Sequence, residues 1–276
     1  MKRILVPTDF SKGAFNALIH AMNIAKLINA SLRIVHAYSM PPTGSTVMVD
    51  ITDILKKNAE EELENLKQEV NKMELAKDLN INYISSHGSV IDVINRQAKE
   101  SELDLVVMGT QGASGITEKF LGSNTAAVAK NINIPMIAVP AELSYEPYKK
   151  FLFTTDMKVL KSTGPMKFIG EFSKECNADV KFIHVRAPGS KELDQKDIDA
   201  YRDQVESIFD PETKSSFAYV YDEDPEEGIA DTIQMEKPDL IIVIHHSYGF
   251  FEGMFHSSIS QNIINRASLP ILVMKG

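Results

Sequence analysis

A chain of 276 residues has room for two domains of ordinary size, and 43% hydrophobic with 24% charged residues is the composition of a soluble globular protein. No apolar run is long enough to span a membrane, and "MKRILVPTDF" lacks the apolar core of a signal peptide. A net charge of −9 argues against nucleic-acid or anionic-membrane partners, and the single cysteine, Cys176, excludes an internal disulfide and suits a cytoplasmic location. Up to Leu143, 14 Lys/Arg stand against 16 Asp/Glu; beyond it, 15 stand against 22. The acidity belongs to the second half, so an anionic ligand meets less repulsion in the first.

The first predicted element is a strand, "RILVP", an apolar and β-branched run bounded by Pro7. Ser11 can cap a following helix with Phe15, Leu18, Ile19, Met22 and Ala25 on one face. "LRIVHAY" is the second strand. A loop with Pro41, Pro42 and Gly44 leads to a long helix with Ile51, Ile54, Leu55, Leu63, Leu66, Val70 and Met73 at helical spacing. "INYIS" is the third strand, and Ser89 can cap a helix carrying Val90, Ile91, Val93 and Ile94. "LDLVVM" is almost wholly apolar, as a strand buried on both faces is. A glycine-rich loop, a short helix from Ser123 and a last strand "IPMIAV" complete the series.

The series then repeats. "RILVPTDFS" returns as "KFLFTTDMK", "SLRIVHAY" as "DVKFIHVR", "LDLVVMGTQG" as "PDLIIVIHHS" and "NINIPMIAVP" as "RASLPILVMK". From Asp104 onward the offset is a constant 135 residues, pairing Pro135 with Pro270. The join falls in the polar "AELSYEPYKK", so domains of 1–143 and 144–276 are expected. Strands alternating with helices imply an α/β fold: two tandem five-stranded parallel sheets, each with helices on both faces. The apolar last strands, "IPMIAV" and "LPILVM", would leave open edges in isolated domains. That predicts an intramolecular pseudo-dimer and leaves self-association through terminal strands open.

In such sheets, ligands bind at the carboxyl ends of the strands where the strand order reverses. With the order 3-2-1-4-5, Pro7, Thr8 and Asp9 end strand one beside the loop "GTQGASGITEKFLGS" after strand four. Gly109 and Gly112 are expected to allow positive φ and close approach to a flat ligand. Gly122, Ser123, Asn124 and Thr125 open a helix whose unpaired amides and dipole favour phosphate. Asp9 suits ribose hydroxyls, and Val35 lines an apolar slot. An ordinary turn, with Ser123 and Asp9 as helix caps, explains the same residues. The loop is neither a Walker loop nor a compact dinucleotide fingerprint.

Taken together, "ILVPTDFS", "IVH", "HGS", "VVMG", "GTQGASGITEKFLGS" and "IPMIAVP" resemble, in order and spacing, a tandem universal stress protein. Gly109, Gly112, Gly122 and Ser123 match the family's ATP-binding pattern G-x2-G-x9-G-S/T. The resemblance implies that Pro7, Thr8, Asp9 and Val35 hold adenine and ribose. It places Met108, Gly109 and Gly112 beside the nucleotide, and Gly122, Ser123, Asn124 and Thr125 on its phosphates. It implies ATP or AMP, with Mg2+ accompanying ATP, and a regulatory role in the stress response. The second copy departs from the pattern, with Ile244, Ser247 and Ser257 at the glycine positions; only Ser258, Thr155 and Asp156 remain. It is expected to keep the fold and lose the ligand.

His245, His246 and His256 could suggest a metal site, but adjacent histidines diverge on a strand and no spacing completes a ligand set, so none is expected. His36 and His184, at equivalent strand ends, fit packing and a backbone hydrogen bond better than catalysis, and Cys176 fits a buried place. No catalytic residue is assigned. Three functional classes stay open: a nucleotide-binding regulator, a slow ATP hydrolase or nucleotidyl transferase, and an interaction module without ligand.

Overall fold

The computed structural model describes residues 2–39, 48–110, 122–159, 162–189, 192–245 and 269–275. The chain divides into two compact units, Met1–Tyr145 and Glu146–Gly276, at a point two residues beyond the expected join. Among the described residues, no helix is long and apolar enough to cross a membrane.

In the first unit, β1 (Arg3–Pro7), α1 (Lys12–Ile28), β2 (Ser31–Tyr38), α2 (Met48–Val70) and β3 (Ile81–His87) come first. They are followed by α3 (Val90–Glu100), β4 (Leu105–Gly109), α4 (Ser123–Asn131) and β5 (Met136–Val139). All pairings are parallel and the sheet order is β3-β2-β1-β4-β5, the order expected from the alternating pattern. Two predicted caps form: Ser11 accepts from the Ala14 N–H and Ser89 from the Asp92 N–H. β1 and β4 are buried nearly throughout, which is why both read as continuous apolar runs.

The second unit repeats this plan with β6 (Lys150–Thr154), α5 (Gly164–Cys176), β7 (Asp179–Arg186), α6 (Gln195–Ile208) and β8 (Ser215–Tyr221). After them come α7 (Pro225–Glu236), β9 (Leu240–His245) and β10 (Ile271–Lys275), in the parallel order β8-β7-β6-β9-β10. An aspartate fixes the start of the central strand in each unit. Asp104 accepts from the amides of Lys2 and Arg3, and Asp239 from those of Lys149 and Lys150.

The two cores differ in kind. The first is mainly aliphatic, with Ile4, Leu5, Val6, Ile34 and Val106 fully buried. The second centres on Phe182, whose ring meets Phe153, Tyr201, Phe209 and Phe217 at centroid distances of 4.9–6.1 Å. Cys176 is buried at the end of α5, and burial pushes its thiol up to about 12.

Candidate functional site

The site is built first by the turn that ends β1. Thr8 donates its N–H to the Val35 carbonyl (2.9 Å), continuing the pairing with β2. Its hydroxyl accepts from the Phe10 amide (3.0 Å), and Asp9 Oδ1 accepts from the Ser11 amide (3.1 Å). Phe10 is thereby held at φ +63°, a left-handed conformation uncommon for an aromatic residue. His36 secures the same turn, Nδ1 donating to the Thr8 carbonyl at 2.8 Å while its ring lies 4.5 Å from that of Phe10. This is the packing and backbone-bonding role expected of it.

The end of β4 forms the second side. Gly109 lies in the strand without positive φ, so its expected freedom of backbone conformation is not what it supplies. A Cβ at this position would stand 2.6 Å from the carbonyl oxygen of Gly13, in the first turn of α1. The glycine is there because helix and strand touch backbone to backbone. Thr125 is buried and its hydroxyl donates to the Gly109 carbonyl (2.7 Å), tying the first turn of α4 to the end of β4. That proton is therefore spent within the fold and is not offered to a phosphate. Gly122 closes the loop at its base by donating its N–H to the Thr110 carbonyl.

These contacts leave a residue with no side chain, Gly122, at the N-cap of α4. No side-chain hydrogen bond caps the helix at Gly122, and the next two residues, Ser123 and Asn124, are exposed. Their amides belong to the unsatisfied first turn, the positive end of the helix. Pro7, Thr8, Val35, Met108 and Gly109 form a buried floor at the ends of three adjacent strands, and Asp9 is exposed at its rim. Of the expected site residues, Gly112 lies outside the described residues. The others converge on one end of the first sheet.

A cavity of about 620 Å³ opens beside the same turn and shares only Thr8 with the expected site. Phe10, Lys12, Phe15 and Ile19 line it from the turn and α1, and Glu62, Leu66 and Glu69 from α2. The sequence gives no sign of it, because α1 and α2 meet there only through tertiary packing. Equally unmarked is a clasp on the tail after β5. Asn16 Nδ2 donates to the carbonyls of Pro140 and Leu143, and His20 Nε2 lies 3.0 Å from the Leu143 oxygen.

The profile of the universal stress protein family matches residues 1–140 and again 147–275. The chain belongs to the universal stress protein family. A relative from Methanocaldococcus jannaschii, universal stress protein MJ0531, is 31% identical over 144 residues, covering 50% of this chain and 81% of its own. YxiE, a universal stress protein of Bacillus subtilis, is 28% identical over 148 residues, covering 50% and 97%. A crystal structure of a universal stress protein from Archaeoglobus fulgidus superposes with a TM-score of 0.75 at 19% identity, covering 99% of this chain and 98% of that one. That likeness is one of fold.

In this tandem universal stress protein, the second unit repeats one side of the site and not the other. Thr155 and Asp156 receive the amides of Met157 (3.0 Å) and Lys158 (3.1 Å), Met157 sits at φ +53°, and His184 Nδ1 lies 3.0 Å from the Thr155 oxygen. At the position of Gly109 stands Ile244, which is buried. α1 and α5 both end on a left-handed asparagine, Asn29 and Asn177, but α1 has 17 residues and α5 has 13. Counted back from those asparagines, α5 begins four residues later in the repeat than α1, and the residues aligned with Lys12 and Gly13, Leu160 and Lys161, lie outside the described residues. Ser247, Ser257, Ser258, His246 and His256 lie outside the described residues. Among those described, no group of three potential metal ligands comes together.

Proposed function

We propose that the first unit binds one adenine nucleotide, ATP or AMP, and that the protein is a cytoplasmic regulator in the stress response whose state follows nucleotide occupancy. The observation that carries this reading is the start of α4. Gly122 leaves the first amides uncapped, and two internal hydrogen bonds fix that turn against the end of β4. An anion on the Ser123 and Asn124 amides would complete the helix terminus. Asp9 would accept from ribose hydroxyls, and Mg2+ would accompany ATP on its phosphates. Pro7, Thr8, Val35, Met108 and Gly109 form the floor, and Gly112 would flank the nucleotide from the loop. The second unit, with Ile244 in place of Gly109, is assigned no nucleotide.

Ser123→Pro is the most selective test. Proline at the first helical position keeps the helix and removes one amide, and Gly122 at φ −54°, ψ 149° already has the conformation a following proline requires. Titration calorimetry with ATP and AMP, with and without Mg2+, is expected to find one site in the parent protein. Ser123→Pro and Gly122→Val should each weaken it about tenfold or more through lost charge-assisted hydrogen bonds. Ser257→Val should leave it unchanged. Two equivalent sites, or full affinity in Ser123→Pro, would overturn the assignment. Hydrolysis is expected below roughly 1 per second, since the sequence offers no recognisable set of base and metal carboxylate. Sustained faster turnover would favour an enzyme.

A further inference from the structure

The outer strand of the second unit carries what the outer strand of the first does not. β8 pairs with β7 and has no second neighbour among the described residues. The Lys214 carbonyl accepts from Val180 and the Asp222 amide donates to Arg186, so even-numbered residues direct their backbone groups toward β7. Ser215, Phe217, Tyr219 and Tyr221 therefore turn theirs outward, an open row of donors and acceptors. Natural edges of this kind are blunted by charge, proline or a bulge. "SSFAYVY" contains no charged residue, proline or glycine. On its α6 face Phe217 stacks on Phe182, but Tyr219 and Tyr221 are 46% and 65% exposed. No large apolar side chain is exposed to this degree along β3.

We propose that β8 is a homodimerisation edge, pairing antiparallel with β8 of a second copy about a two-fold axis at Ala218. That register sets outward residue against outward residue: Ser215 with Tyr221, and Phe217 with Tyr219, in hydrogen-bonded pairs. The α6 faces of both copies then join in one aromatic stripe that covers the exposed tyrosines. Even-numbered residues fall in the intervening positions, where exposed Lys214 meets Asp222 of the second copy, once at each end. Both partners stand just outside the uncharged strand, so no like charges face each other across the axis. A parallel register would set Lys214 beside Lys214 and Asp222 beside Asp222. The strand and its flanks are thus complementary to themselves reversed, and this favours a second copy over an unrelated peptide.

Two paired edges bury less than a standard interface, so dimer and monomer should exchange with concentration. Sedimentation of the full chain from about 1 to about 100 μM should show the mass rising toward twice the 30.7 kDa of one chain. Lys214→Glu should weaken association about tenfold or more with an unchanged melting temperature, and Lys214→Glu combined with Asp222→Lys should restore it. Asp222 also accepts from the Asp224 amide ahead of α7. If the double variant melts early, Ala218→Cys decides alone: its thiols meet on the axis, and the other cysteine, Cys176, is buried. A covalent dimer on mild oxidation supports the pairing, and its absence overturns it. A monomer at every concentration, or a dimer indifferent to Lys214→Glu, also overturns it. So does a peptide of residues 214–222 that binds a chain which does not dimerise, since the edge would then serve another strand.

Discussion

The two units keep the same turn and differ in what faces it. Thr8, Asp9, Phe10 and His36 form a hydrogen-bonded device that Thr155, Asp156, Met157 and His184 reproduce almost contact for contact. Across from it stands Gly109 with a helix turn laid against its Cα in one unit, and the larger, buried Ile244 in the other. The turn therefore belongs to the fold. A threonine and aspartate at the end of the first strand do not by themselves mark a ligand site. The glycine lets helix and strand meet backbone to backbone, an approach that a branched side chain such as that of Ile244 would block.

The largest effect that sharpens this comparison is expected in the cores. Phe182 and Ile34 occupy corresponding places, paired with Phe153 and Val6. Phe182 joins four other rings, so Phe182→Ala should cost about 3–5 kcal/mol, whereas Ile34→Val should cost about 0.5–1.5 kcal/mol. Urea denaturation of both variants measures the difference. Equal, small losses would show that the aromatic cluster is not what holds the second unit together.

Next in size is Gly109→Ala. The atom its methyl would meet is a backbone oxygen, which cannot rotate aside, so the first turn of α1 must move. A loss of about 1–3 kcal/mol is expected, as for other overpacked sites. Hydrogen exchange in residues 12–15 should rise with it. If stability is unchanged, the close approach of Gly13 is not a constraint and Gly109 serves some other purpose.

His36→Ala and His184→Ala test the shared device directly. Each removes one hydrogen bond to a turn carbonyl, worth about 0.5–1.5 kcal/mol. The two losses should be similar, because the geometry is. A much larger loss at His36 would show that the first turn stores strain that the second does not.

Much of this was legible beforehand. The alternation of strands and helices, the strand order, the caps Ser11 and Ser89 and the duplication all rest on local patterns or a constant offset, which sequence carries openly. The ends of strands one and four also stood out as lying at one end of the sheet, where the expected residues converge. What escaped notice depends on contacts between distant segments. Gly109 meets Gly13, and Thr125 spends its hydroxyl on Gly109. Asn16 and His20 hold a tail more than a hundred residues away. The glycine itself was visible; the reason for it was not.

The smallest effect separates the units by pH. His20 has no counterpart at the aligned position of α5, where Phe168 stands. It is fully buried on α1, with Nε2 at the Leu143 oxygen and the Tyr145 ring edge-on at 5.2 Å. Burial lowers its pKa below the ordinary 6.5, and the bond to Leu143 offsets that only in part. The unfolded chain then binds more protons than the folded one as pH falls below 6.5, so the contribution of this site is full above that value. It is lost progressively as pH drops toward the folded pKa. His20→Gln keeps a donor for Leu143 and removes the titration. Thermal melts between about pH 5 and pH 8 should therefore slope less in the variant than in the parent. Parallel slopes would mean that His20 binds its proton alike in the folded and unfolded chain and that the acid sensitivity of the first unit lies elsewhere.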